Sequence, residues 1–190
     1  RLSELKKMLP IYLETSIKIL NDYPNLKIFY MVPDEYINLT YQYVKKYMSS
    51  STNLNNVLSS KYKSDIFSST QVAIATSGTV SLELAVSNIP SIICYKMSFI
   101  TYFILKLLVK TKWISLPNII LDQVVYPEFI QQNCNVKNLY KSTIDLLLNN
   151  EKSFDQKQML KKVKGELSID NNFLMQKMPS IIFNLNKSND

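Results

Sequence analysis

Residues 71–96 read QVAIATSGTVSLELAVSNIPSIICYK and carry the clearest structural pattern of the chain. An apolar run from Val72 to Ala75 ends at a group of small residues. An apolar-periodic segment then continues to Val86, and a second apolar run begins after Pro90. The pattern predicts a strand, a tight turn, a helix and another strand in that order.

The turn in this stretch has the composition of an anion-binding turn. Ser77 and Thr79 supply hydroxyl groups, Gly78 permits a close backbone approach, and the helix start supplies free N–H groups. Glu83 shares a helix face with Thr79, so a phosphate ligand on the turn would present its next polar group to Glu83. Alternatively, the hydroxyl residues cap the helix and Glu83 is solvated or paired with a lysine. Glu83 does not complete a capping box, which places the acidic residue three positions after the cap.

Strands and helices alternate through the rest of the chain. Predicted helices cover Leu2–Asn21, Asp34–Met48, Lys61–Ser69, 136–149, 151–168 and 171–186; predicted strands cover Leu26–Val32 and Asn56–Ser59; predicted loops cover Ser49–Asn56 and Ser115–Asn118. Pro10 either kinks the first helix or marks its beginning, and Asp34 is the expected cap of the second. The alternation predicts an α/β fold, a parallel sheet with helices on both faces.

The composition limits the possible chemistry. The 190 residues are 46% hydrophobic, which suits one domain with a sizeable core. Histidine is absent, so this chain has no histidine base, no Ser-His-Asp triad and no histidine-ligated metal. Two glycines are too few for a Gly-x-Gly-x-x-Gly fingerprint. Cys94 and Cys134 form no Cys-x-x-Cys motif, as expected for reduced thiols of a cytoplasmic protein.

The formal net charge of +7 favours an anionic partner, such as a nucleotide or an acidic membrane surface. Nucleic acid is not an expected partner, because acidic and apolar residues interrupt Lys152–Lys164 and no aromatic platform accompanies it. The chain does not begin with methionine and lacks the apolar segment of a signal peptide, which suggests that its beginning lies elsewhere.

The segment from Phe99 to Trp113 combines apolar side chains with lysines and leaves two interpretations open. It is too short and too rich in lysine to span a bilayer, which takes about 20 apolar residues. One interpretation is an amphipathic helix at a membrane interface, and the other is a buried core helix. The membrane-facing residues of the first would be Phe99, Phe103, Lys106, Lys110 and Trp113.

Several segments resemble the carboxy-terminal half of lipid-A-disaccharide synthases, in the family's order and at its spacing. They are Ala75-Thr76-Ser77-Gly78-Thr79 with Leu82-Glu83, Pro90, Tyr95-Lys96, Thr101-Tyr102, Leu107-Leu108-Val109-Lys110 and Ser115-Leu116-Pro117-Asn118. The resemblance covers roughly residues 1–150. It implies the Rossmann-like carboxy-terminal domain of a two-domain (GT-B) glycosyltransferase. Residues 1–190 would form one donor-nucleotide domain, with the helices of 151–190 packed on an absent amino-terminal domain.

The resemblance also implies a reaction and its participants. The whole enzyme would transfer 2,3-diacylglucosamine from UDP-2,3-diacylglucosamine to 2,3-diacylglucosamine 1-phosphate in lipid A biosynthesis, with inversion and without a metal or other cofactor. Because the general base would lie in the absent domain, the isolated chain is expected to bind UDP weakly and to be inactive. The acyl chains of both substrates favour the membrane interpretation. The expected location is therefore the cytoplasm, peripheral on the inner face of the bacterial inner membrane.

The resemblance assigns roles to individual residues. These are Ser77, Gly78 and Thr79 for the diphosphate, Glu83 for the ribose, Glu128 for the nucleotide, Arg1 for the charge of the leaving group and Asn118, the catalytic residue, for its orientation. On propensity alone Asn118 is a turn residue and Glu128 a solvated carboxylate at a helix start. In one departure from the family, Asp122-Gln123-Val124 replaces a Gly-Arg-Glu-like tripeptide, which removes a basic residue near the donor.

Two alternatives stay open: another UDP-sugar transferase or epimerase domain, and a non-catalytic module that binds anions or membranes. Without the absent domain, apolar residues of the last predicted helix are expected to be exposed and to promote association, including formation of a homodimer. They are Phe173, Leu174, Ile181, Ile182 and Phe183.

Overall fold

The computed structural model describes residues 2–48, 56–96 and 112–169, and within them helices alternate with strands. The helices are α1 (Leu2–Asp22), α2 (Ile37–Tyr47), α3 (Lys63–Ser69), α4 (Val80–Val86), α5 (Leu116–Leu121), α6 (Val136–Leu148) and α7 (Asn150–Ile169). The strands are β1 (Tyr30–Val32), β2 (Val57–Ser59), β3 (Ala73–Thr76), β4 (Ser91–Tyr95) and β5 (Glu128–Ile130). Short 3-10 turns lie at Asp34–Tyr36, Ser60–Tyr62 and Gln131–Asn133.

The described strands pair in parallel. β1 pairs with β2, and β4 lies between β3 and β5 in a second sheet. The register places Thr76 beside Cys94 and Ile93 beside Glu128. The α/β class with parallel strands is therefore confirmed, as is the order of strand, turn, helix and strand in residues 71–96.

Alternate residues of β4 pack into two different cores, because successive side chains of a strand point to opposite faces of the sheet. Ile93 packs with residues of α4 and α7, including Leu160. Ile92 and Cys94 pack on the other face with Met8 of α1 and Leu139 of α6. The central strand thus has helices on both faces, as predicted. A third core joins α1, α2, β1 and β2, and its buried members are Leu9, Leu13, Tyr30, Val32, Val44, Met48 and Val57.

Asp34 does not cap the second helix, contrary to the sequence prediction. A 3-10 turn precedes α2, and neither Pro33 nor Tyr36 at the two cap positions makes a side-chain capping hydrogen bond. The Asp34 carboxylate instead accepts a hydrogen bond from Ser59 and pairs with Lys61. Since Ser59 ends β2 beside the last residue of β1, this carboxylate connects the carboxyl ends of the two strands.

The predicted loop Ser115–Asn118 is the start of a helix. α5 begins at Leu116, and Pro117 lies in its first turn, where its missing N–H would have no intrahelical acceptor. Proline is compatible with both an extended loop and a first helical turn, so the local signal did not separate the two. Glu128 lies in strand β5 and not at a helix start.

α1 runs from Leu2 to Asp22 and includes Pro10. The alternative in which the helix begins at Pro10 is therefore wrong. Met8 and Leu9, on the amino-terminal side of the proline, are almost completely buried. Their packing stabilises these first turns, although proline removes one hydrogen bond of the helix.

Several predictions lie outside the described residues. They are Arg1, the loop at 49–55, the membrane-facing residues Phe99, Phe103, Lys106 and Lys110, and the helix at 171–186. α7, which covers the predicted helix 151–168, packs on α4, α5 and α6 of this chain. Packing of the tail on an absent domain stays a prediction. None of the helices in the described ranges is long and apolar enough to cross a membrane.

Candidate functional site

The turn between β3 and α4 presents backbone N–H groups at the surface. Gly78 has a φ of 150°, which residues with a side chain rarely adopt, and the space around it is open. The backbone conformation, and not crowding, therefore requires glycine. Gly78 and Thr79 are exposed, and their N–H groups donate to no backbone carbonyl of the described residues. Thr79 makes no side-chain capping hydrogen bond. The turn thus has free donors, as an anion site requires.

Tyr12 of α1 contacts the strand end that precedes the turn. Its hydroxyl lies 2.8 Å from the hydroxyl oxygen of Thr76, the last residue of β3, and 3.2 Å from the sulfur of Cys94. Burial raises the pKa of Tyr12 well above its usual value, so the phenol stays protonated. The N–H of Ser77 donates to the Cys94 carbonyl at 3.3 Å. Contacts from α1 and β4 therefore hold the base of the turn in place.

Ser77 connects the turn to a segment distant in sequence. Its hydroxyl donates to the carbonyl oxygen of Ile114 at 2.8 Å. The N–H of Ile114 in turn donates to the two carboxylate oxygens of Glu128, at 3.1 and 3.0 Å. Ile114 is thus the link between the Ser-Gly-Thr turn and the Ser-Leu-Pro-Asn segment that follows it.

Glu128 binds the beginning of α5 through one carboxylate oxygen. Its Oε1 accepts hydrogen bonds from the N–H and the hydroxyl of Ser115, both at 2.8 Å, and from Nδ2 of Asn118 at 2.9 Å. Ser115 and Asn118 are fully buried. The half-buried carboxylate is therefore satisfied by protein donors on the side that faces α5.

Asn118 uses all of its side-chain hydrogen-bonding capacity within the protein. In addition to the bond to Glu128, Nδ2 donates to the carbonyl of Tyr126 at 2.8 Å. Oδ1 accepts from the N–H groups of Val125 and Tyr126, at 2.9 and 2.8 Å. A neutral amide has two donor hydrogens and two acceptor sites, so none is left over. Asn118 closes the connection between α5 and β5.

Glu83 lies on α4 and faces a neighbouring lysine. Its carboxylate is 3.1 Å from the ammonium of Lys63 at the start of α3, and both side chains are partly exposed. The pair lies in an open cleft of about 580 Å³ between α3 and α4, whose lining also includes Phe67, Leu82 and Val86. The lysine pairing considered for Glu83 in the sequence is present, and the carboxylate is also open to a ligand.

Two further predicted features lie at the edge of this site. Asp122 ends α5 in the left-handed conformation, and all three residues that depart from the family pattern, Asp122-Gln123-Val124, are exposed. Trp113 is the one predicted membrane-facing residue that the structure describes. It is partly buried, and the ammonium of Lys112 lies 4.7 Å from the ring centroid, a cation–π contact. The membrane role of this residue stays a prediction.

Sequence reasoning assigned no function to Tyr12, Lys63, Ile114 or Ser115. Each contacts a predicted site residue or its neighbour across a large separation in sequence. Ser115 belongs to the Ser-Leu-Pro-Asn segment that resembles the family, and this membership was the one feature of the sequence that could have indicated its role. In the described ranges, no group of three or more His, Cys, Asp or Glu side chains is arranged to hold a metal ion.

Comparisons with known proteins agree with these motifs. Residues 1–181 match the model of a family described as lipid-A-disaccharide synthetase. The chain is 32% identical to the lipid-A-disaccharide synthase of Rickettsia conorii, over 92% of this chain and 38% of that protein. It is 30% identical to that of Rickettsia typhi, over 96% of this chain and 46% of the relative. A probable mitochondrial lipid-A-disaccharide synthase of Arabidopsis thaliana is 36% identical over 80% of this chain and 33% of its own length. The chain therefore spans less than half of these relatives.

Proposed function

The chain belongs to the lipid-A-disaccharide synthase family, and from this premise we propose that it is the donor-binding part of a glycosyltransferase of lipid A biosynthesis. The whole enzyme would transfer 2,3-diacylglucosamine from UDP-2,3-diacylglucosamine to 2,3-diacylglucosamine 1-phosphate, with inversion. The observation that carries the proposal is the turn at Ser77–Thr79: Gly78 and Thr79 are exposed there with N–H groups that donate to no backbone carbonyl of the described residues, and the Ser77 hydroxyl ties the turn to Ile114, the residue before the Ser115–Asn118 segment. The two motifs are connected through Ile114 and Glu128, which supports our assignment of both to one site.

The proposed donor pose follows from the groups that remain free. The N–H groups of Gly78 and Thr79, with the Thr79 hydroxyl, bind the diphosphate. Glu83 accepts hydrogen bonds from the ribose hydroxyl groups. These hydroxyl groups compete with the ammonium of Lys63 for the Glu83 carboxylate. Arg1 neutralises part of the negative charge of the leaving group. Because negative charge develops on UDP as the glycosidic bond breaks, donors held in place before the reaction lower the barrier more than donors that must reorganise.

The chemistry is divided between this chain and the remainder of the enzyme. This chain has no histidine, and it spans only part of the length of its relatives. We assign the general base and most of the acceptor site to the part of the enzyme that lies outside this chain. We expect the isolated chain to bind UDP weakly and to transfer no sugar. Because both substrates carry acyl chains, the full enzyme is proposed to act peripherally at the inner face of the bacterial inner membrane.

Calorimetric titration with UDP tests the proposal. Glu83→Ala is expected to weaken UDP binding about tenfold, because the variant loses a charged acceptor for the ribose. Lys63→Met is the matched control, since it breaks the same ion pair but retains the carboxylate. It is expected to bind UDP as tightly as the wild type or more tightly. Equal weakening in both variants would contradict the ribose role of Glu83, and a folded wild type that does not bind UDP would contradict the donor-binding function.

A further inference from the structure

We propose that Glu128 is a positioning residue of the donor site. Asn118 and the Ser77 hydroxyl act with Glu128 to hold the Ser77–Thr79 turn in place. This inference rests on the proposed function and assigns the three residues a role without ligand contact. The donor would then be contacted in this region by Gly78 and Thr79. The proposal follows from a continuous path of hydrogen bonds.

The first step of the path leads from the turn to Ile114. The only hydrogen of the Ser77 hydroxyl is directed at the carbonyl of Ile114, so Ser77 does not donate it to a phosphate oxygen. The hydroxyl oxygen is an acceptor, and an ionised diphosphate offers acceptors in return. The side chain of Ser77 is therefore suited to tether the turn and unsuited to bind the anion.

The second step leads from Ile114 to Glu128. The carboxylate accepts from two consecutive N–H groups, those of Ile114 and Ser115, and from the Ser115 hydroxyl. Hydrogen bonds to an ionised acceptor are shorter and stronger than those between neutral groups. This arrangement fixes the peptide that carries the Ile114 carbonyl and therefore the acceptor to which Ser77 is tied.

The third step explains why Asn118 belongs to the same unit. Its Nδ2 donates to the same Glu128 oxygen that Ser115 contacts, and its remaining bonds close the connection before β5. The side chain is completely buried. Asn118 therefore influences a bound donor by orienting Glu128, and through it Ile114 and Ser77.

Ser115→Ala tests the proposal with little change in volume. The Ser115 side chain is fully buried and its hydroxyl donates to Glu128, so the variant removes a bond of this path without removing a group that is open to UDP. We expect UDP affinity to fall about fivefold, since the variant removes one hydrogen bond to a charged group. In the ligand-free protein, the amide resonances of Gly78 and Thr79 are expected to shift. Ser115→Thr, which keeps the hydroxyl, is expected to recover at least part of the affinity.

Thr40→Val is the matched control. Thr40 is another fully buried residue whose hydroxyl donates to a backbone carbonyl, that of Tyr36, but it lies in α2 and takes no part in this path. We expect a similar decrease in the melting temperature, with unchanged UDP affinity and unchanged Gly78 and Thr79 amides. If Ser115→Ala binds UDP as the wild type does and leaves those amides unshifted, the positioning role is wrong. If the folded wild type does not bind UDP at all, the proposed function fails, and the positioning role fails with it.

Discussion

Replacement of Asn118 by aspartate perturbs the buried unit around α5 at a single atom. Asn118→Asp keeps the oxygen that accepts from the N–H groups of Val125 and Tyr126. It replaces the donor Nδ2, which lies 2.8 Å from the Tyr126 carbonyl and 2.9 Å from the carboxylate of Glu128. Two attractive contacts thus become contacts between oxygen atoms, with little change in side-chain volume.

The expected loss of stability is large for so small a change. Leaving the buried Tyr126 carbonyl without its donor costs about 1–3 kcal/mol. The second contact places a new carboxylate against Glu128 in a buried position, which is at least as unfavourable while both groups are ionised. Together the two losses amount to about 3–5 kcal/mol near neutral pH, which corresponds to a decrease of roughly 10 °C in the melting temperature for a chain of this size.

The loss is expected to depend on pH in a defined direction. Burial and the neighbouring Glu128 raise the pKa of the introduced carboxyl above its unfolded value of about 3.9. A raised folded-state pKa means that stability is highest below the unfolded value and falls as pH rises through the folded one. In its protonated form the new carboxyl donates to Glu128 and restores one of the lost bonds. The difference from the wild type is therefore smaller in acid than at neutral pH.

Urea unfolding at about pH 4.5 and about pH 7.5 measures both effects. The matched control is Asn149→Asp, which changes an asparagine that caps α7 by accepting from the N–H of Lys152. Aspartate retains that acceptor and suits a helix start, so this variant is expected to stay within about 0.5 kcal/mol of the wild type. A loss below about 1 kcal/mol for Asn118→Asp at neutral pH, or an equal loss at both pH values, would show that the Nδ2 hydrogen bonds do not stabilise the protein in this way.

Two other predictions concern contacts that hold the scaffold together. Gln156 of α7 accepts a hydrogen bond from the N–H of the buried Ser91 at 2.7 Å. Gln156→Leu is therefore expected to lower the free energy of unfolding by about 2–3 kcal/mol, whereas the exposed control Gln42→Leu changes it little. Equal losses for the two variants in urea unfolding would contradict this expectation. Hydrogen bonding to Lys61 lowers the pKa of Asp34 in the folded protein. The Asp34 carboxylate therefore stabilises the folded protein above the pKa of the unfolded state, and this stabilisation is lost as pH falls through the pKa of the folded state. The stability difference between the wild type and Asp34→Asn is therefore expected to shrink on acidification, and a difference that stays constant from neutral to acid pH would contradict it.

The elements around the turn were predictable because their signals are local. The apolar periodicities of β3, α4 and β4 each extend over a few consecutive residues and need no information from elsewhere. The same holds for α6 and most of α7. The local sequence was ambiguous at Pro117, because proline suits both a loop and a first helical turn. At Asp34 the local sequence was misleading, because the carboxylate binds Ser59 and Lys61 of another segment.

The alternating α/β order and the chemical character of the turn were predictable without the structure, because both follow from residue type and short-range spacing. The family resemblance of the sequence also placed Ser77, Glu83 and Asn118 among the polar groups near the proposed donor. Which of these groups form hydrogen bonds within the protein, and which are open to a ligand, became known from the three-dimensional packing alone. The physical reason is that a hydrogen bond such as that from Ser77 to Ile114 joins segments brought together by packing, and no local pattern encodes its partner.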